Sequence, residues 1–219
     1  MRITLLEYGS LLSYVPKGET AAMDQAREVK KVIKADSYFG TPPTLMSQWI
    51  AETIRAVKGG LPFASFFRED TILVPLPSSS LMQRDSLWVP ERLSSAMVKA
   101  GLGRESVSLL ARETPVPKAA LSIPSERPKT KDHIASLSVQ KRIQESPRQI
   151  LLVDDIITRG ATALGAANKL GEVFPMAQIR TFAAMRTVTN PADFQALYHP
   201  VIGTVQYIPS TEGTSRRPP

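Results

Sequence analysis

Cysteine is absent from the 219 residues, which removes disulfides, thiolate zinc sites and cysteine nucleophiles together. Aromatic residues make up only 6%, too few to suggest a platform on which single-stranded bases stack. No stretch approaches the roughly 20 consecutive apolar residues of a membrane span. Glu7 breaks the mildly apolar start of the chain, against the pattern of a signal peptide. A cytoplasmic protein with no membrane partner is the expectation. Histidine occurs twice, at His133 and His199. Each is solitary, without metal-ligand spacing, and neither is expected to act as a general acid or base.

What is present describes an ordinary soluble globule, 42% hydrophobic and 21% charged. The length suits one α/β domain with additions, or two small domains. A net charge of +7 fits either a positive cleft for a polyphosphate or a basic face for nucleic acid. The lysines and arginines form no recognisable nucleic-acid motif, so the cleft is favoured. A nucleic-acid role would instead use a face remote from the ligand site, including Arg216 and Arg217.

Periodicity predicts an early strand or hairpin arm over 3–12. Helices follow over 19–34, burying Ala22, Ala26, Val29 and Ile33, and over 44–57, burying Met46, Ile50, Ile54 and Val57. From residue 71 strands alternate with helices: strand 71–76, helix 89–100, strand 106–111, helix 134–143, strand 150–153, helix 160–174 and strand 179–185. A final edge strand is expected at 203–208, before a polar tail. Residues 113–131 carry four prolines and no clean period, so they read as a long loop. Trp49 and Trp88 fall on predicted helices as core residues. Strands alternating with helices imply a parallel sheet covered on both faces.

The most informative stretch runs Ile150-Leu-Leu-Val-Asp-Asp-Ile-Ile-Thr-Arg-Gly-Ala-Thr162. Four aliphatic residues describe a strand buried on both faces. Asp154 and Asp155 follow where open α/β sheets bind ligands. Thr158, Arg159, Gly160, Ala161 and Thr162 then lead into a helix with Leu164, Ala167, Leu170 and Phe174 on its apolar side. Hydroxyls and free N–H groups at a helix N-terminus wrap a phosphate dianion, and Gly160 permits close approach or positive φ. The carboxylates lie too near that anion to be its ligands and are better placed to accept hydrogen bonds from a ribose diol. An Asp before a glycine turn also occurs as a mere helix cap, but these four features in one register point to a sugar phosphate.

Residues 150–162 resemble the phosphoribosyl pyrophosphate (PRPP) binding motif of type I phosphoribosyltransferases. Arg159 stands where a small hydroxyl residue is more usual. The resemblance implies a type I phosphoribosyltransferase-like parallel sheet flanked by helices, with a core over 71–186. A variable hood would be built from 1–70, from 187–219, or from both. It also implies that Val74-Pro-Leu-Pro-Ser-Ser-Ser80 grips pyrophosphate through Pro77, Ser78, Ser79 and Ser80, with Arg84 adding charge. A serine-rich surface turn is the plainer reading of that run. The basic residues Arg112, Lys118, Arg127, Lys129 and Lys131 sit where the family has a mobile loop over PRPP, although a solvated linker has the same composition.

The layout is similar to the competence-associated branch, with two departures. The four-cysteine zinc module cannot exist here, and the usual Arg-Gly-Phe-Asn-Gln stretch is missing after Ser80. The implied activity is exchange of pyrophosphate for a nitrogenous base at ribose C1, with Asp154, Asp155 and Arg84 as catalytic residues. Mg²⁺ would be the cofactor, held through ligand and water rather than directly. PRPP or a nucleoside monophosphate, together with pyrophosphate, would be the ligands. The alternative is a non-catalytic module that senses PRPP or a nucleotide within a larger assembly. The acceptor base and oligomeric state stay open.

Overall fold

The computed structural model describes residues 2–79, 86–117, 128–140, 143 and 145–217. Its centre is a seven-stranded sheet in the order β11-β10-β1-β9-β8-β4-β5. The strands are β1 (Leu5–Tyr14), β4 (Thr71–Pro75), β5 (Glu105–Ser106), β8 (Gln149–Ile157), β9 (Gln178–Thr187), β10 (Tyr198–Ile208) and β11 (Gly213–Arg217). From β5 through β1 every neighbouring pair is parallel. β10 and β11 add an antiparallel flank. The fold is thus α/β with a mainly parallel sheet covered by helices, as the alternating pattern predicts.

Alternation along the strands builds two apolar layers. Leu73, Leu151 and Val153 face a core shared with helices α1 (Ala21–Ala35), α2 (Met46–Val57) and α3 (Val89–Lys99). Phe63, Phe66, Phe67 and Phe182 meet in that layer with ring centroids about 6 Å apart. Ile72, Val74, Ile150 and Leu152 face the other core, formed with helix α5 (Ala161–Val173). β4 and β8 are therefore covered on both sides, which is why 150–153 reads as an unbroken aliphatic run.

Several expectations need correction. The sheet is not confined to 71–186: β1 lies inside it between β9 and β10, and β10 and β11 extend it from the C-terminal segment. The expected edge strand at 203–208 is interior, and the supposed polar tail forms the edge strand β11. Residues 106–111 are not one strand. β5 ends at Ser106, and β6 (Leu110–Arg112) leaves the sheet to pair antiparallel with β7 (Leu137–Val139). The expected helix over 134–143 is instead α4 (Thr130–Ser136) followed directly by β7.

Smaller departures follow local packing. Ala22 is exposed, and Met23 takes the buried place on α1. Val57 ends α2 partly exposed at 40%. Trp88 precedes α3 rather than lying on it, and its indole N–H donates to the Leu76 carbonyl at 2.8 Å. A two-residue pairing of β2 (Tyr38–Phe39) with β3 (Thr44–Leu45) brackets the Pro-Gly break between α1 and α2.

Candidate functional site

The C-terminal ends of β4, β8, β9 and β1 lie side by side, the edge at which open α/β sheets present ligand-binding loops. Pro75 pairs with Val153, so the segment after β4 starts beside Asp154. Arg186 pairs with Ile157 and with Ser13, which brings the ends of β9 and β1 to the same rim.

β8 runs past the carboxylate pair rather than stopping before it, since Asp154, Ile156 and Ile157 still pair with β9. The Asp154 carboxylate accepts the Asp155 N–H at 2.9 Å, and Asp155 accepts the Ile156 N–H at 2.7 Å. Burial, with the Asp155 charge adding to it, pushes the Asp154 carboxyl well above the usual carboxylate range. Asp155 also accepts from the Lys34 ammonium of α1 at 2.7 Å. Burial alone would lower the Lys34 pKa, but the Asp155 carboxylate, helped by Asp154, outweighs it and leaves the pKa raised.

Gly160 is the N-cap of α5 at φ 83, a left-handed conformation in which L side chains are strained. A Cβ there would come within 2.5 Å of Val205 on β10, so the close approach that demands glycine is to the protein itself. No side chain caps α5, and its first-turn N–H groups, beginning with Ala161 and Thr162, have no intrahelical acceptor. Thr158 is exposed and Arg159 half-buried. The Thr158 hydroxyl meets that of Thr187 at 3.1 Å, and the Thr162 hydroxyl lies 3.4 Å from His133 Nε2.

Two arginines border this turn. Arg216 donates through Nε to the Thr158 carbonyl and through Nη2 to the Thr187 carbonyl, with its guanidinium 5.4 Å from the Tyr8 ring centroid. Arg186, at 8% exposure, donates to the His199 carbonyl at 3.2 Å and contacts His199 Nδ1 at 3.0 Å. Neither forms an ion pair with a carboxylate among the described residues. Burial lowers both guanidinium pKa values, though arginine stays charged. Sequence reasoning missed both residues as neighbours of the turn. It had offered Arg216 to a remote nucleic-acid face, yet the side chain folds back onto Thr158.

Of the candidate pyrophosphate segment, Pro77 is buried, Ser78 exposed and Ser79 half-buried. Ser80 and Arg84 lie outside the described residues, as do Lys118 and Arg127. The Ser78 carbonyl accepts from Arg112 Nε at 2.8 Å, and the Ser79 carbonyl accepts the Val116 N–H at 3.0 Å. The start of the predicted loop is thus tied to that segment. Its end is tied to the β10–β11 turn through Lys129 and Lys131, which pair with Glu212 at 3.0 and 2.8 Å.

Arg112 is 7% exposed and leaves one guanidinium nitrogen without a partner among the described residues; its Nη1 donates to Ser136. His133 Nδ1 and Thr130 Oγ1 nearby on α4 are also buried without partners among the described residues. Burial, with the Arg112 charge second, lowers the His133 pKa to about 4, so the ring is neutral at neutral pH. Among the described residues no three His, Cys, Asp or Glu side chains gather to hold a metal ion. At the carboxylate pair the donor set does not fit a directly bound divalent cation, because Lys34 already occupies Asp155.

No protein-family model matches the sequence, and no curated protein matches it. Solved structures with some likeness include a hypoxanthine phosphoribosyltransferase from Staphylococcus aureus. In its orthorhombic crystal form it is 14% identical with a TM-score of 0.33, covering 69% of this chain and 70% of that one. Its tetragonal form matches at 12% identity and a TM-score of 0.32 over the same shares. Adenine phosphoribosyltransferase from Leishmania tarentolae matches at 13% identity and a TM-score of 0.32, covering 79% of this chain and 82% of that one.

Proposed function

We propose that this chain binds the ribose 5-phosphate end of a phosphoribosyl ligand at the turn between β8 and α5 and acts as a phosphoribosyltransferase. The observation that carries the reading is the turn itself. An uncapped helix N-terminus opens beyond Gly160, two arginines without a carboxylate partner among the described residues flank it, and a carboxylate pair precedes it. A phosphate dianion at α5 would accept from the free N–H groups and the Thr158 and Thr162 hydroxyls. It would also supply a negative charge to Arg186 and Arg216, which have no carboxylate partner among the described residues, in a site where burying unpaired cations is costly. Asp154 and Asp155 would accept from the ribose hydroxyls.

In the reaction the C1–O bond to pyrophosphate breaks, its electron pair leaving with the pyrophosphate. A base nitrogen supplies the pair for the new C1–N bond, and its N–H proton is released to solvent or to the departing pyrophosphate. Positive charge develops on the sugar and negative charge on the leaving group, so fixed cations near Ser78 and Ser79 are the main demand. Arg112, held between Ser78 and Ser136, is the described residue suited to that task. Mg²⁺ bound to the diphosphate would neutralise part of its charge.

Calorimetric titration with ribose 5-phosphate and PRPP tests the binding, and pyrophosphate release with a panel of purine and pyrimidine bases tests turnover. Binding with turnover on at least one base is expected. No binding of either ligand would overturn the reading. A second reading, a sensing module without turnover, is favoured by Lys34 occupying Asp155. It predicts binding with no pyrophosphate release on any base.

A further inference from the structure

The ion pair between Lys34 and Asp155 joins residues 121 positions apart and belongs to a built arrangement. Lys34 sits in the last turn of α1. Two residues on, Asp36 closes the helix at φ 44, with its N–H on the Ile33 and Val32 carbonyls. The Asp36 side chain is fully buried and accepts the Ser47 N–H at 2.8 Å, the Ser47 hydroxyl at 3.2 Å and Arg92 Nη1 at 3.3 Å. The end of α1 is therefore pinned to α2 and α3, and Lys34 is delivered to Asp155 by a fixed backbone.

The electrostatics explain why a cation is needed there. Two adjacent carboxylates at a buried strand end repel each other and lose hydration, and a cation in contact offsets both costs. Asp155 is 12% exposed at its side chain, whereas Lys34 is 51% exposed. The ammonium has three donors and spends one on Asp155, and among the described residues the other two are left for a ligand. A divalent cation binding the pair directly would have to displace Lys34 or sit against its charge.

Resting on the proposed ribose 5-phosphate site, we propose that Lys34 is the resident cation of the carboxylate pair and donates to the ribose diol. Ribose binding at the pair then needs no divalent cation. The diol oxygens accept from Lys34 while their hydrogens donate to Asp154 and Asp155. Lys34 thus makes the N-terminal helix part of the site, and any Mg²⁺ requirement of PRPP comes from its diphosphate alone.

Ribose 5-phosphate, which has no diphosphate, separates these roles. Its dissociation constant would be measured by calorimetry in EDTA and in millimolar Mg²⁺, for the native chain and for Lys34→Met and Lys34→Arg. The native affinity is expected to change less than twofold between the two conditions. Lys34→Met should weaken binding at least tenfold in EDTA, while Lys34→Arg, which keeps the charge, should recover most of it. Circular dichroism and melting confirm that each variant is folded, and a second variant, Lys34→Gln, serves if the methionine does not fold. Native binding that is lost in EDTA, or Lys34→Met and Lys34→Gln binding as tightly as native in EDTA, overturns the inference and leaves the proposed function standing. No binding by the native chain in either condition overturns both.

Discussion

Replacing Arg216 by methionine keeps an apolar stem over Tyr8 but removes the guanidinium that spans two strand ends. Arg216 donates to the carbonyls of Thr158 and Thr187, and each bond from a charged donor contributes about 1.5–3 kcal/mol. Two such bonds would total about 3–6 kcal/mol, and the variant is relieved of a cation that has no carboxylate partner among the described residues, which offsets part of the loss. A net destabilisation of about 2–3 kcal/mol is expected. For a chain of this length each kcal/mol moves the midpoint by about 2–4 °C, so the melting temperature should fall by about 4–12 °C. Ribose 5-phosphate affinity should fall about tenfold, roughly 1.4 kcal/mol, because the Thr158 turn loses its anchor and the site loses one positive charge. Thermal unfolding and calorimetry on the same preparation check both numbers. A melting shift under about 2 °C would refute the clamp, and a large shift with unchanged affinity would refute its link to the ligand.

Asp154→Asn combined with Asp155→Asn should abolish measurable ribose 5-phosphate binding while circular dichroism stays native; unchanged affinity would remove the carboxylates from the site. Gly160→Ala should destabilise the chain by about 1–3 kcal/mol through its positive φ and the contact with Val205. Adding Val205→Ala should recover part of that loss, so no recovery in a chemical melt would show that Val205 is not what the new Cβ meets. His133 is held at about 4 by burial and then by Arg112, with Asp132 opposing, against about 6.5 unfolded. The unfolded chain thus binds the extra proton between those values, and stability contributed by the neutral ring is lost as pH falls from about 6.5 toward 4. The full effect approaches about 3 kcal/mol. The raised Asp154 carboxyl acts in the opposite sense, so the difference between native and His133→Gln melts across pH isolates the histidine. Parallel curves would refute the assignment.

Local pattern alone was enough for the strand at 150–153, the helix behind it and the parallel sheet, because an aliphatic run closed by a glycine turn and an amphipathic stretch leaves few alternatives. Asp154, Asp155 and the turn from Thr158 to Thr162 were legible as one unit for the same reason: they are contiguous. The antiparallel ribbon of β6 and β7 was not legible, since Leu110–Arg112 is too short to show a period and its partner lies beyond the proline-rich stretch of sequence. Arg216 and Lys34 were hidden by distance along the chain. Nothing in a C-terminal Ser-Arg-Arg signals that β11 will pair with β10 and carry a guanidinium onto Thr158. Nothing in an amphipathic helix signals that its last lysine will meet Asp155. Sequence by itself determined the local geometry of the turn from Thr158 to Thr162, because hydrogen bonding and backbone sterics act between near neighbours. Only the tertiary structure decided which charges surround it, because an ion pair depends on where the whole sheet brings its strand ends together.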